Sequence, residues 1–375
     1  MTPETPEDDA AGTPADDARP PLGQAPQPGA SPRPPAGLRP SPPPRPKPSL
    51  WWVWLLVTLL LLFGGGCFAF MLLMAAAGGG GGAGGRFAEK TLNEGKGDKL
   101  ALIEINGVIQ QTVATGGLFS AGSVDMVDGI QRQLDQAAKD EGVKGVLLAI
   151  DSPGGTVTAS DRIWRAVQDF KAESGKKVVV HMGALCASGG YYIAASADQI
   201  LCEPTTITGS IGVILGGLNF HKLLEDHGVA DVTITSGPNK ALLSSTGQVQ
   251  ESHLEILQET VDDAYARFTQ IVADGRGIPV EEVRGFADGR IYTPKGAQDL
   301  KLVDAIGYRD DAVALLAKLT GVTDPKLITY KGPPTLADVL SGNAQSDVVP
   351  TQRGVLPLLS EAHNGPRLWA IWRPN

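Results

Sequence analysis

Short apolar runs alternate with amphipathic helical patterns between residues 98 and 235, and this alternation restricts the fold more than any other feature of the sequence. The run VKGVLLAIDSPGG, from residue 143 to residue 155, is largely apolar up to its closing turn, as strands buried on both faces are. Residues 124–140 and 157–173 instead place apolar side chains at helical spacing. Strands that alternate with helices form parallel βαβ units, so the sequence predicts an α/β core.

The same patterns predict the other elements of this globular region. Strands are predicted at KLALIEING, KKVVVHM, QILCEP, GSIGVI and ADVTITSG, the last of which covers residues 230–237. Helices are predicted at residues 188–197, 219–227, 249–275, 279–286, 294–300 and 309–319. The long helix at 249–275 is amphipathic. Together with the helices after it, it forms a predicted set of C-terminal helices that follow the α/β core.

Composition divides the rest of the chain into segments. Residues 1–49 hold 16 of the 28 prolines and almost no large apolar side chains, which predicts a disordered arm. Residues 50–77 carry no charge and are long enough to form a transmembrane helix. The glycine-rich residues 78–97 are expected to form a tether. The globular domain then covers residues 98–331, and residues 332–375 read as an extended tail that could dock on a partner surface.

The flanks of the apolar segment predict its orientation. Basic residues precede it at Arg39, Arg45 and Lys47, which favours a cytoplasmic N-terminus and a single pass through the cell membrane, with the globular domain on the extracytoplasmic side. A cleaved signal peptide and lipid attachment at Cys67 are the alternatives. The length of the chain before the segment argues against both.

Charge and cysteine content exclude two further classes of protein. The net charge is −9 and no basic stripe runs along the globular region, so a nucleic-acid partner is not expected. Cys186 and Cys202 are too few to form a disulfide framework. A disulfide between these two can form outside the cytoplasm, although two buried thiols fit a domain of this size better.

Two glycine-rich turns follow predicted strands and point to a site for chemistry. DSPGG ends at Gly155, and ASGG contains Ser188 followed by Gly189. The carboxyl ends of parallel strands lie at one edge of a sheet, so the two turns should meet there. Glycine lets a substrate backbone approach closely, and two amide N–H groups aimed at one point can stabilise an oxyanion.

A serine hydroxyl at this edge needs a base, and the sequence offers two residue types. Each of the five histidines lies on a strand, on an amphipathic helix or in the tail, without an adjacent orienting acid. Lys240 lies in SGPNKALLSSTG, an irregular segment that follows a predicted strand, and burial would favour its neutral form. An ordinary solvated loop lysine is the alternative interpretation of Lys240.

Five motifs, in order within residues 98–320, resemble the signal peptide peptidase A family of membrane-bound bacterial serine proteases. They are DSPGG, ALCASGGYYIA, TGSIGVI, SGPNKALLSSTG and GRIYTPKGAQDLKLVDAIG. The resemblance implies a ClpP/crotonase-like core of repeated ββα units and a Ser–Lys dyad. It makes Ser188 the nucleophile and Lys240 the general base, with Ser210 orienting the lysine amine. It also makes Gly155 and Gly189 the oxyanion donors.

The resemblance further implies a membrane-anchored serine endopeptidase that hydrolyses remnant signal peptides and similar apolar peptides without a metal or other cofactor. The implied partners are these peptides, the lipid bilayer and further copies of the chain in a ring or dome. Because both dyad motifs occur in one short chain, we expect the serine and the lysine of the same chain to pair. Ala241 and Cys186 depart from the family pattern but leave the dyad intact.

Two other functions remain open at this point. A catalytically inactive membrane scaffold could keep the same fold. An acyl-CoA hydratase or isomerase of the crotonase type also uses glycine-rich oxyanion loops, but it does not account for the paired serine and lysine motifs or for the apolar segment.

Overall fold

A computed structural model describes residues 51–78, 87–111, 125–332 and 369–371, with side chains in the first helix described only as far as Gly66. The chain divides into two compact units, residues 1–73 and residues 74–375. The predicted arm at 1–49 and most of the predicted tail lie outside the described residues.

The first helix, α1, spans Trp51–Gly78 and covers the apolar run predicted at 50–77. It carries no acidic residue in its first turn and no basic residue in its last. Counting only residues whose side chains are described, no helix of the chain is long and apolar enough to cross a membrane. The transmembrane segment therefore stays a prediction, part of which lies outside the described side chains.

The second unit is built on a mixed sheet. Its strands in chain order are β1 Ala88–Thr91, β2 Lys99–Asn106, β3 Val143–Ser152, β5 Lys177–Ala187, β6 Gln199–Cys202, β7 Ile207–Gly209, β8 Ile291–Tyr292, β9 Ala305–Ile306 and β10 Lys326–Lys331. Their main order across the sheet is β1-β10-β2-β3-β5-β6-β9, with β7 paired to β5 and β8 to β7. The pairs from β10 to β9 are parallel, as are β5 and β7, whereas β1–β10 and β7–β8 are antiparallel.

Two short strands form a second, separate ladder. They are β4 Gly154–Thr156 and β11 Trp369–Ile371, which pair in antiparallel fashion. The helices of the unit are α2 Met126–Lys139, α3 Val157–Ser174, α4 Gly189–Ala194, α5 His221–Asp226, α6 Glu251–Arg276, α7 Val280–Phe286, α8 Pro294–Asp299 and α9 Arg309–Thr320. The α/β prediction is confirmed, including the helices that follow the core.

The side chains of strand β3 pack into a separate apolar cluster on each face of the sheet. Its alternate residues Val146 and Leu148 belong to a large core cluster that includes side chains of α2 and α3. Leu147, between them, belongs to a second cluster that includes Leu316 of α9. Because successive side chains of a strand point to opposite faces, a continuously apolar strand requires a helix layer on each side.

Helix α3 is placed by local signals at both of its ends. The Thr156 side chain accepts a hydrogen bond from the Ala159 amide and caps the first turn. Gly175 ends the helix with a left-handed φ of 66°, a conformation that glycine adopts without a Cβ penalty. The helix therefore starts directly after the DSPGG turn, which keeps that turn short and anchored.

Three local predictions differ from the structure. GSIGVI is predicted as a strand over residues 209–214, but only its Gly209 belongs to β7. Residues 230–237 were expected to form a strand, but no strand forms there, and no strand of the described residues pairs with this segment. Its alternating apolar side chains Val232 and Ile234 are 84% and 94% exposed, so the β pattern has no sheet to join in one chain. The predicted tether at 78–97 contains β1, because the edge of β10 offers its backbone a partner.

Replacing Gly275 of α6 by alanine tests how closely the helices pack. A Cβ on Gly275 would collide with the backbone oxygen of Ala195, which follows α4. We expect Gly275→Ala to lower the free energy of unfolding by about 2 kcal/mol, measured by urea denaturation of the purified chain.

A matched glycine in α7 provides the control for this prediction. A Cβ on Gly285 would meet no atom within 4 Å, so Gly285→Ala should be neutral or stabilise by up to about 1 kcal/mol through its higher helix propensity. Equal stability of the two variants would contradict the close approach of α6 to Ala195.

Candidate active site

Ser188 lies at the junction where β5 ends and α4 begins. It has a positive φ of 53° with ψ of −116°, a strained conformation of the kind found at functional turns. Its amide donates a hydrogen bond to the oxygen of Gly209, at 2.8 Å, and the residue is buried. Strand β7 therefore holds this turn in place through the backbone. The Ser188 side chain forms no hydrogen bond with any described residue.

The DSPGG turn lies directly beside this serine. Ile109 donates a hydrogen bond to the Gly154 oxygen at 2.9 Å and accepts one from the Thr156 amide at 2.8 Å. Neither bond uses the amide of Gly155. The nitrogen of that amide lies 3.1 Å from the point where a Cβ on Gly189 would stand. The structure thus brings Gly155 and Gly189 together next to Ser188, as the two-turn argument predicted.

Only glycine fits the positions that make this close approach. A Cβ on Gly155 would collide with the backbone of Ile109, and a Cβ on Gly154 would collide with the oxygen of Ala370. Gly154 also has a φ of +98°, which side chains rarely tolerate. The glycines of DSPGG are therefore required by packing and backbone conformation together.

Ser152 stabilises the turn and was not singled out in the sequence. Its hydroxyl donates to the Gly107 oxygen at 2.6 Å and accepts from the Gly154 amide at 3.0 Å. Asp151 has a related role, since its carboxylate accepts a hydrogen bond from the Leu185 amide at 3.1 Å. Both lie in the quoted DSPGG motif, so a turn-forming role for the Ser and Asp could have been inferred from their type.

Ser210 lies on the opposite side of Ser188 from the DSPGG turn. It follows Gly209, whose oxygen accepts a hydrogen bond from the Ser188 amide. The amide of Ser210 itself donates a hydrogen bond to the Arg290 oxygen at 2.8 Å. Ser210 is buried and has a positive φ of 49°. It lines a cavity of about 600 Å³ together with Tyr265, Asp288 and Ile371.

Lys240 is separated from this group in the single chain. It lies in a short 3-10 turn, Pro238–Ala241, and its side chain is exposed. No residue from 212 to 250 is buried, and no contact among the described residues joins the Lys240 amine to Ser188. Four of the five predicted site residues therefore converge, whereas the expected pairing of serine and lysine within one chain is not formed.

His253 is a supporting residue that the sequence did not indicate. Its ring Nε2 donates to the Pro238 oxygen at 2.9 Å, and the side chain is buried. It holds the turn that carries Lys240 against the start of α6. The other described histidines do not replace the lysine: His181 is buried beside Glu203, and burial lowers the pKa of its imidazole.

The two tyrosines after Ser188 support α4 from inside the core. The Tyr191 hydroxyl donates to the Leu302 oxygen at 2.9 Å, and the Tyr192 hydroxyl donates to Asp161 at 2.6 Å. Arg267 of α6 also binds Asp161 through two N–H groups, so α3, α4 and α6 are joined at this point. These contacts fix the position of the turn that carries Ser188.

The cysteines behave as the sequence predicts. Cys186 and Cys202 are both buried and free. Cys186 lies opposite Ser152 in the pairing of β5 with β3, and burial raises the pKa of its thiol well above the usual value. A thiol that stays protonated is a poor nucleophile, so Cys186 acts as a core residue.

Comparison with known proteins identifies relatives of this chain. The model of the family described as Peptidase family S49 matches residues 171–323, and that described as Clp protease matches residues 109–205. A protein of Enterococcus faecium named as a signal peptide peptidase is 40% identical over 248 residues, which cover 66% of this chain and 71% of the relative.

Two further relatives carry protease names. A Synechocystis protein named as a protease is 38% identical over 65% of this chain and 83% of its own length. Protease 4 of Salmonella typhi is 35% identical over 70% of this chain, and the match covers 40% of that relative. The E. faecium and Synechocystis relatives are thus matched over more than two thirds of their own length.

Proposed function

Since this chain belongs to peptidase family S49 and is a serine-type peptidase, we propose that it hydrolyses remnant signal peptides and similar apolar peptides with Ser188 as the nucleophile. One observation carries the proposal. The Gly155 amide and the glycine after Ser188 converge at the point where an oxyanion would form. Each such donor contributes about 3 kcal/mol to transition-state stabilisation.

The reaction follows from the chemistry of the five site residues. Neutral Lys240 takes the hydroxyl proton of Ser188, whose oxygen attacks the scissile carbonyl carbon. The amides of Gly155 and Gly189 bind the resulting oxyanion. Protonated Lys240 then gives its proton to the leaving amine, and a water molecule hydrolyses the acyl-enzyme. Ser210 hydrogen-bonds the lysine amine and orients it toward Ser188.

Lys240 reaches Ser188 when copies of the chain assemble. In support, the extension from residue 212 to residue 250 contains no buried residue but exposes large apolar side chains. These include Leu218, Phe220, Leu223, Val229, Val232, Ile234 and Val249. Exposed apolar groups at this density are characteristic of an interface. A second copy of the chain bound to this surface would also explain why Lys240, the proposed general base, lies away from Ser188 of its own chain.

Two features near the site favour this arrangement. The cavity beside Ser210 is large enough, at about 600 Å³, to admit a lysine side chain from a neighbouring copy. The segment around Val232 and Ile234 pairs with no strand among the described residues, so a neighbour could pair with its backbone by strand addition. We therefore propose a closed homo-oligomer, a ring or dome, in which each extension serves the next subunit.

The same chain is proposed to act at a cell membrane. Residues 50–77 would form a single-pass anchor with a cytoplasmic N-terminus, and the peptidase domain would lie on the extracytoplasmic side. Support comes from the uncharged apolar sequence and from the basic residues before it. Attachment to the bilayer would raise the local concentration of membrane-derived peptides near the site.

A pair of synthetic peptides tests the substrate class. One carries a continuous apolar segment of a signal peptide, and its partner has the same length and backbone but alternate apolar residues replaced by Asp. We expect the full chain to cleave the apolar peptide at least about tenfold faster, because a buried site penalises desolvation of carboxylates. Mass spectrometry identifies the products, and equal cleavage of both peptides would contradict the proposed preference.

A further inference from the structure

Strand β5 contains a bulge just before the turn that carries Ser188. Asp151 is the one residue of β3 between two matched pairs of residues, whereas β5 has three residues, 183–185, over the same interval. The matched pairs on either side are Ile150 with Met182 and Ser152 with Cys186. Bulges of this kind occur beside active sites, where they change the direction in which the following side chains point.

The bulge also marks the point where β5 changes its partner on its other side. Before the bulge, residues 179–182 pair with β6, and after it, residues 185–187 pair with β7. The two residues between these stretches have no partner in either strand. The pairing with β7 is the part that concerns the site, because it brings the Gly209 oxygen to the Ser188 amide.

Two side chains from outside β5 hold the bulge. The Thr206 hydroxyl, in the loop between β6 and β7, donates to the Gly183 oxygen at 2.7 Å and lies 3.3 Å from the Met182 oxygen. The Asp151 carboxylate accepts a hydrogen bond from the Leu185 amide at 3.1 Å. Thr206 is 1% exposed, so bulk water cannot replace its hydrogen bond. The bulge is therefore held at both of its ends.

The length of the bulge sets the register of the residues that follow it. If the bulge gained or lost one residue, residues 185–187 would move by one position along β7, and such a slip turns every side chain to the opposite face. The Ser188 amide would then no longer meet the Gly209 oxygen. Ser188 also has a strained backbone, with a φ of 53°, and strained conformations persist only where the surrounding contacts over-determine them.

We propose that Thr206 and Asp151 are positioning residues of the peptidase, an inference that rests on the proposed role of Ser188 as the nucleophile. Thr206 fixes the end of the bulge that leaves β6, and Asp151 fixes the end that enters β7. Together they keep the Ser188 hydroxyl directed at the place where the two oxyanion donors converge. A misplacement of about 1 Å can cost about 100-fold in rate, so a small change at the bulge has a large effect on turnover.

Replacing the Thr206 hydroxyl by a methyl group tests this role in the purified full-length chain. Thr206→Val should lower kcat for the apolar peptide by at least about tenfold and change KM by less than about twofold, because the substrate cleft stays in place. Thr206→Ser keeps the hydroxyl and should recover kcat to within about threefold of the wild type.

Two changes at Asp151 test the other end of the bulge. Asp151→Ala removes the acceptor for the Leu185 amide and should also lower kcat, with KM little changed. Asp151→Asn keeps an oxygen acceptor and should retain the kcat of the wild type. This pair decides the question if Thr206→Val does not fold.

Thr269→Val is the matched control for the lost hydroxyl. Thr269 is fully buried in α6, and its hydroxyl binds the backbone oxygens of Tyr265 and Ala266 at 3.1 and 3.0 Å, with no bond to β5. Its kcat should stay within about twofold of the wild type even where stability falls. Urea denaturation of each variant separates a loss of folded protein from a loss of turnover per folded chain.

Cleavage by the wild type and by Ser188→Ala is measured alongside, so that the two proposals can fail separately. If the wild type cleaves the peptide and both Thr206→Val and Asp151→Ala keep its kcat, the positioning role is refuted while the peptidase function stands. An equal loss in Thr269→Val, or a rise in KM alone, would also overturn the positioning role. If the wild type cleaves no peptide, the proposed function fails and the positioning role fails with it.

Discussion

Ser188→Ala is expected to abolish hydrolysis of the apolar peptide, lowering kcat by about 10⁴-fold or more. In the proposed mechanism the Ser188 hydroxyl attacks the substrate. The buried hydroxyl of Ser160 also lies close to Gly189, but it donates a hydrogen bond to the Thr156 oxygen at 3.0 Å in the first turn of α3. Cys186 is close in sequence, but burial raises the pKa of its thiol and keeps it protonated. The rate is measured with the purified chain under single-turnover conditions, so that slow product release does not mask the loss.

Ser196→Ala provides the control, because Ser196 is equally buried and lies just beyond the same short helix. Its hydroxyl donates to the Ile193 oxygen at 2.6 Å, so its removal should cost about 1 kcal/mol of stability without affecting turnover. Equal activity of wild type and Ser188→Ala would contradict the assignment of the nucleophile. A folded wild-type chain that cleaves no apolar peptide would favour the inactive-scaffold alternative.

The convergence of the glycine turns could be predicted because it depends on local signals and on one topological rule. DSPGG and ASGG each end a parallel strand, and parallel strands present their carboxyl ends at the same edge. Ser210 was implied only by the family resemblance; the structure shows that β7 pairs with the end of β5, so that the Gly209 oxygen accepts a hydrogen bond from the Ser188 amide. For the two glycine turns, the sequence alone was enough to predict that they meet, without knowledge of long-range contacts.

The position of Lys240 could not be predicted in the same way. The lysine lies on an irregular turn, and its neighbours from 212 to 250 make few contacts with the core, so no periodic pattern indicates where the segment goes. The failed strand at 230–237 has the same cause, because β-propensity produces a strand only where a partner edge exists. In the proposed assembly, both differences have one cause, because the partners of residues 212–250 would then lie in a neighbouring copy of the chain.

The pairing of β11 with β4 also lay beyond sequence reasoning. Three residues near the C-terminus carry no pattern long enough to identify a strand, and their partner is more than two hundred residues away. The sequence did suggest that the tail is extended and docks on a surface. The structure places one part of it, Trp369–Ile371, on the chain's own DSPGG turn instead of on a separate partner.

Co-expression of two inactive variants is expected to restore activity if lysine and serine come from adjacent subunits. Lys240→Met and Ser188→Ala should each lose hydrolysis of the apolar peptide. In a mixed ring, a Lys240→Met subunit keeps its serine and can receive the lysine of a Ser188→Ala neighbour. With equal amounts of each variant and random assembly, about one quarter of the sites combine both residues, so the activity should reach about a quarter of the wild-type value.

The competing in-chain arrangement gives the opposite result, because every site in the mixture would then lack either its nucleophile or its base. Lys222→Met is the matched control, since Lys222 is an exposed lysine of the same extension that pairs with Asp226. It should retain activity alone. Restoration must disappear when Ser188→Ala is combined with the double variant that lacks both Ser188 and Lys240, because no subunit in that mixture carries the nucleophile. No recovery in the first mixture, with oligomers present, would assign the lysine to the same chain and require the extension to fold back onto its own core.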